Sequence, residues 1–187
     1  MHGRRRVLST SNGSWQARWL FVAEAPGRRG AERTGIPFTG DESGRRFDLL
    51  LDAMRLTRAD AFITNAVLCN PCDELGRNAA PTRQELDRCA PWLLQTLQLV
   101  EAPLVIAVGK TALGALDRIA PHDLTLAHAG QAFVPWRSGW LGVLYHPSPR
   151  AAIHRNWEMQ LHDARHLATL GRRRLKSASQ MRDPSPG

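Results

Sequence analysis

Apolar runs alternate with amphipathic stretches along most of the chain. Trp19-Leu20-Phe21-Val22-Ala23 is a compact apolar run that stops at Pro26-Gly27, the pattern of a buried strand entering a turn. A long loop is expected next. From Glu42 the spacing of Phe47, Leu50, Leu51 and Met54 gathers the apolar side chains on one helix face, and Ala61-Phe62-Ile63-Thr64 returns to a strand. Thr82 followed by Glu85 is a capping box that predicts a helix through Trp92, Leu93 and Leu97. Leu104-Val105-Ile106-Ala107-Val108 reads as the central strand and Lys110 to Leu116 as a short helix. Weaker strands are expected near Leu124 and Phe133, a further one at Leu141-Gly142-Val143-Leu144-Tyr145, and a last helix from about Arg150 to Leu170. Strands separated by helices imply an α/β fold with a parallel sheet covered on both faces.

The two ends depart from this pattern. Residues 1–16 are polar, and the chain from Gly171 is basic and then rich in Ser and Pro, so neither end carries the apolar surface needed to order itself. The expected organisation is a flexible basic segment 1–16, one folded domain 17–170 and a disordered basic tail 171–187. The 187 residues, 43% of them apolar, suit a single core. Lys and Arg number 25 against 17 Asp and Glu, a formal charge of +8 that fits a polyanionic partner such as nucleic acid. Arg4-Arg5-Arg6 and Arg172-Arg173-Arg174 with Lys176 are either arms for phosphates or solvated tails.

Three cysteines, Cys69, Cys72 and Cys89, are too few and too clustered for a secreted disulfide framework and fit a reducing cytoplasm. No apolar run approaches the roughly 20 residues that cross a bilayer, so no membrane partner is expected. Gly109-Lys110-Thr111 lacks the earlier glycine of a phosphate loop, since Leu104 stands there. His162 and His166 share a helix face but have no third ligand for zinc.

Chemistry concentrates in four short segments: Glu24-Ala25-Pro26-Gly27, Pro37-Phe38-Thr39-Gly40, Thr64-Asn65-Ala66 and His146-Pro147-Ser148-Pro149. In an open α/β sheet such strand-end segments converge on one edge, where these folds bind ligands. The first two, with Arg33-Thr34-Gly35 and Asp41-Glu42-Ser43-Gly44, resemble the first motif of the uracil-DNA glycosylase superfamily, closest to its bacterial and archaeal families 4 and 5. The resemblance continues through Thr64 to Pro71, Pro81-Thr82 to Cys89-Ala90-Pro91-Trp92, Leu104 to Leu113 and Tyr145 to Pro149, spanning roughly residues 17–168. It implies a three-layer αβα sandwich with a central, mainly parallel four-stranded sheet.

The resemblance also implies a reaction: a bacterial, cytoplasmic, monomeric DNA repair glycosylase that hydrolyses uracil from DNA, with other deaminated bases left open. The competing reading is a noncatalytic nucleic-acid-binding member of the same fold. A glycosylase must evert a base, read its edge and break the sugar–base bond. Phe38 is either a core phenyl or the ring that stacks on the base, with Ala25, Pro26 and Gly27 forming nearby backbone. Asn65 either caps a turn or reads the imide edge of uracil. His146 is expected to donate to the departing base, and Pro147, Ser148 and Arg150 to contact DNA. Glu24, Glu32 and Asp41, ranked in that order, are the candidates for ordering water at the sugar. Ala23 stands where the family usually has glycine. Families 4 and 5 typically hold a 4Fe-4S cluster; Cys69 and Cys89 match its later two ligands, but the first cysteine pair is absent and Cys72 is the one extra thiol. The expectation is therefore no cofactor, with a looser segment from Asn70 to Ala80.

Overall fold

The computed structural model describes residues 3–181, with side chains to Ser177. Its sheet has five strands: β1 (Trp19–Ala23), β2 (Ala61–Asn65), β3 (Leu104–Val108), β4 (Val134–Trp136) and β5 (Gly139–Leu144). The order is β2-β1-β3-β5-β4, parallel except for β4, which pairs antiparallel with β5. The expected four strands are therefore the parallel set, and β4 adds a fifth at the edge. Pro135 lies within β4, a position an edge strand tolerates because it lacks an N–H for a further neighbour. Leu124 is buried but lies in a loop, where its burial comes from packing against the core rather than from sheet pairing.

The helices are α1 (Ala31–Thr34), α2 (Glu42–Ala53), α3 (Arg83–Val100), α4 (Lys110–Asp117) and α5 (Trp157–Met181). Alternation along each strand sends side chains to opposite faces. Leu20, Val22, Val105 and Ala107 join Leu93, Leu97, Leu113 and Leu116 of α3 and α4 on one side. Phe21, Ile63, Ile106 and Val108 join Phe47, Leu50, Ala164 and Leu167 of α2 and α5 on the other. This is the three-layer αβα arrangement. The capping box at Thr82 is formed in both directions: Glu85 N–H donates to Thr82 Oγ1 at 3.2 Å and Thr82 N–H to Glu85 Oε2 at 2.8 Å.

The described residues of the two ends, 3–16 and 171–177, fold against this body, where a flexible segment and a disordered tail were expected. Val7 is fully buried, its N–H donating to Leu68 O at 2.8 Å, and buried Asn12 donates Nδ2 to Ile63 O at 2.7 Å. The last helix begins later than expected, after Asn156, whose Oδ1 accepts the N–H of Met159 at 2.9 Å. It also runs on past Leu170 to Met181 because Gly171 packs against the Trp19 ring and Leu175 is buried. Arg172 donates to Met54 O and the Arg174 guanidinium lies 3.9 Å from the Trp140 ring centre, so these arginines bind the protein itself. The last part of the expected tail, residues 182–187, lies outside the described residues. No helix among the described residues is long and apolar enough to cross a membrane.

Candidate active site

The parallel strands all end on one edge. Ala23 at the end of β1 is in register with Asn65 at the end of β2, and Val108 at the end of β3 with Leu144 at the end of β5. The segments that follow wall a cleft of about 590 Å³. It contains Glu24, Ala25, Pro26 and Gly27 from the first strand end, Asn65 from the second, His146 and Ser148 from the last, and Phe38 and Asp41 from the connection to α2.

Asn65 is 4% exposed and its Nδ2 has no hydrogen-bond partner. Burial without a partner is costly for an amide, so a turn cap does not account for this side chain. It presents an unpaired donor beside the cleft.

Phe38 lies with one face against Phe47, ring centres 4.2 Å apart and planes within 6°, and its other neighbour is the His146 ring at 5.5 Å. It is half-buried and borders the cleft: α2 supports the ring from behind and the ring lines the site. Its backbone has φ 50°, a left-handed conformation unusual for a bulky residue. Arg58 holds it there, donating Nη1 to Pro37 O at 2.9 Å and Nη2 to Phe38 O at 2.5 Å, with Nε on Asp48 at 2.9 Å. A Cβ on Gly44 would stand 2.5 Å from Phe38 O, so only glycine lets the first turn of α2 approach this closely.

His146 follows β5 and is packed against Gly109, whose φ of 95° and missing Cβ admit the histidine backbone and Cβ. Burial pushes the His146 pKa below its ordinary 6.5; Glu24 and Asp41 oppose this by attraction but do not outweigh it. The ring is therefore neutral at neutral pH, able to donate from one nitrogen and accept at the other. Glu24 is half-buried, and the Thr111 hydroxyl of α4 donates to its Oε2. Asp41 caps α2, its Oδ1 accepting Gly44 N–H at 2.9 Å, while the same side chain borders the cleft.

Of the expected site residues, Glu32 is not brought in. It is held outside the cleft by Arg4, whose Nη1 reaches Oε1 at 3.3 Å. Pro147 is buried behind the wall rather than facing the cleft, and Arg150 stands exposed at its border. Sequence reasoning gave Lys110, read as solvated or touching DNA, and Thr111 no place in the cleft and left Asn70 and Asn78 without roles, yet all four border the site. The first two were set apart as an incomplete phosphate loop, and the strand-to-helix turn after β3 was the signal that placed them on the same edge.

The three cysteines are one thiol short of the four that a 4Fe-4S cluster takes. Arg4 Nη2 lies 2.7 Å from Cys72 Sγ, placing a cation against the third thiol, and burial raises the Cys69 thiol pKa, disfavouring the thiolate a metal needs. No group of three or more His, Cys, Asp or Glu side chains among the described residues is arranged to hold a metal ion. The N-terminal arginines, open to reading as phosphate arms or as a solvated tail, are occupied within the protein. Arg4 ties α1 to the Cys72 loop, Arg5 donates to Arg33 O at 2.8 Å, and Arg6 lies 5.2 Å from the Trp92 ring centre on α3.

Comparison with known proteins agrees with this geometry. The chain is 32% identical over 113 residues to the type-4 uracil-DNA glycosylase of Thermotoga maritima, covering 60% of this chain and 56% of that protein. It is 31% identical over 155 residues to the type-4 enzyme of Saccharolobus solfataricus, covering 80% and 68%, and 34% identical over 142 residues to the type-5 enzyme of Thermus thermophilus, covering 68% and 58%. The chain thus spans little more than half the length of the Thermotoga maritima relative. Residues 10–170, which include the N-terminal segment from Thr10 and every strand described above, match the uracil DNA glycosylase superfamily, and the chain belongs to it.

Proposed function

We propose that the protein is a monofunctional DNA glycosylase that hydrolyses the bond between uracil and deoxyribose in DNA, leaving an abasic site. The observation that carries this reading is the buried, unpaired Asn65 amide in one cleft with the Phe38 ring and the neutral His146. An everted base lies on Phe38, and Asn65 Nδ2 donates to a uracil carbonyl oxygen. Cytosine presents an amino group where uracil has that oxygen, so the same donor opposes it. A thymine methyl has no equivalent polar test, and its exclusion falls to the shape of the cleft.

As the bond from C1′ to the base nitrogen breaks, its electron pair leaves with the base and positive character builds on the sugar. His146 donates a hydrogen bond to the base oxygen on which negative charge develops. Glu24 orders the attacking water: Thr111 occupies Oε2, leaving Oε1 for the water proton. Oxygen bonds to C1′, the proton passes to Glu24 and then to the released base, and the products are free uracil and an abasic sugar. Asp41 adds negative charge beside the same space. Lys110 and Arg150, both exposed at the border, engage the flanking phosphates.

We propose further that the loop following β2 is held without a metal, by Arg4 bridging Cys72 and Glu32. Protein purified under reducing, anaerobic conditions should carry no iron and no visible absorbance. The activity itself is tested by incubating the protein with a single-uracil oligonucleotide and treating with alkali. Scission at the uracil supports the reading, and tight binding without scission supports a noncatalytic protein.

A further inference from the structure

Phe38 stands in the glycine-rich connection between α1 and α2, a stretch with little stiffness of its own. Its φ of 50° is one that a bulky residue leaves unless something holds it. The holding group comes from 20 residues later in the chain. Every nitrogen of the Arg58 guanidinium is engaged: Nη1 on Pro37 O at 2.9 Å, Nη2 on Phe38 O at 2.5 Å and Nε on Asp48 Oδ1 at 2.9 Å. Arg58 is half-buried and does not line the cleft, so whatever it does there passes through the residues it holds.

The parts of this clasp fix one another. Phe47, which lies flat against the Phe38 ring, and Asp48, which anchors the guanidinium, are consecutive residues of α2. Floor and clasp are therefore set by the same turn of helix. The turn that carries Arg58 is closed by its own capping box, in which Thr57 N–H and Oγ1 both donate to Asp60 Oδ2 at 2.7 Å. A lysine could not do the same work, because an ammonium is a point charge without the planar fork that spans two adjacent carbonyls and a carboxylate. We infer that Arg58 is a positioning residue for base capture, its fork locking the carbonyls of Pro37 and Phe38 so that the Phe38 ring faces the cleft before nucleic acid arrives. This rests on the glycosylase reading and deepens it. A stacking platform fixed in advance leaves less to be ordered when the base lies down on it.

The test is a double-variant cycle read as binding to two single-stranded oligonucleotides, one carrying a single non-hydrolysable 2′-fluoro-2′-deoxyuridine and one undamaged. Arg58→Lys keeps the charge and loses the fork. It should cut the preference for the uracil strand by about fivefold, while affinity for the undamaged strand stays unchanged. Phe38→Leu, which removes the flat ring, should cut the preference by at least as much, and adding Arg58→Lys to it should cost nothing further. An undiminished preference in either single variant overturns the proposal. So does a loss from Arg58→Lys that is equally large with and without the Phe38 ring, since Arg58 would then act by another route. Equal loss of affinity for both strands, the signature of a merely structural cation, overturns it too. If Arg58→Lys does not fold, Asp48→Asn, which weakens the anchor at an exposed side chain, is read the same way. A wild-type protein that binds the uracil strand no better than the undamaged one brings down the glycosylase reading itself, a separate outcome.

Discussion

In the proposed mechanism Asn65 and His146 carry two separable tasks, reading the base and easing its departure. Asn65→Asp puts a carboxylate oxygen where an unpaired donor now lies, and uracil excision should fall by about tenfold or more. An unchanged rate in an oligonucleotide assay removes Asn65 from recognition. Because burial lowers the His146 pKa below 6.5, the proton is already off the folded-state ring above that pH. The native preference for the neutral ring stabilises the fold fully above pH 6.5 and is lost as pH falls from there through the lowered folded value. The turnover contribution of His146 should accordingly be flat from about pH 6.5 to 8. A wild-type rate that falls across that range, with the fall absent in His146→Ala, contradicts a neutral donor. Glu24, Asn65 and His146 were legible as candidate site residues because each stands in a short polar segment at a strand end, and Phe38 because it is an aromatic in a glycine-rich connection, which lies between α1 and α2 rather than at the strand end expected for it. Asn70 was not, since its place beside the cleft depends on hydrogen bonds to Pro26 and Asn78 that no spacing encodes.

Elements place these residues, and some residues serve both purposes. Asp41 caps α2 and borders the cleft, so Asp41→Ala should cost about 1 kcal/mol of stability together with activity. Asp41→Asn keeps a capping oxygen and should retain the melting temperature while losing activity; full activity in this variant makes Asp41 a cap alone. The N-terminal segment is the other such element. Arg4, Arg5, Arg6 and Val7 tie the loop after β2 to α1 and α3, so Arg4→Ala should speed amide hydrogen exchange across residues 70–80. Unchanged exchange there means the ion pair does not secure the loop. The parallel strands and the helices between them were legible because each is an apolar run or a 3.6-residue period long enough to read. The two ends were not. Val7 is a single apolar residue in a polar stretch, and Gly171 and Leu175 are spaced among arginines, so their burial depends on docking against a surface that the rest of the chain builds.

At the scale of the whole molecule, the charge of +8 is unevenly available. Arg4, Arg5, Arg6, Arg172 and Arg174 are engaged within the protein, so the proposed function leaves phosphate contact to the cations at the cleft border. DNA affinity should fall linearly with the logarithm of salt concentration, and Arg150→Ala should reduce that slope by about one. An unchanged slope places the phosphates elsewhere. The central claim is that one sheet edge receives an everted uracil between Phe38, Asn65 and His146. The most direct measurement is a crystal structure of the protein with an oligonucleotide holding one 2′-fluoro-2′-deoxyuridine. The account predicts the uracil ring lying on Phe38, with Asn65 Nδ2 within hydrogen-bond distance of a uracil carbonyl oxygen and the His146 ring at the opposite oxygen. A uracil that stays in the nucleic-acid stack, or that enters a part of the surface away from these three side chains, contradicts it.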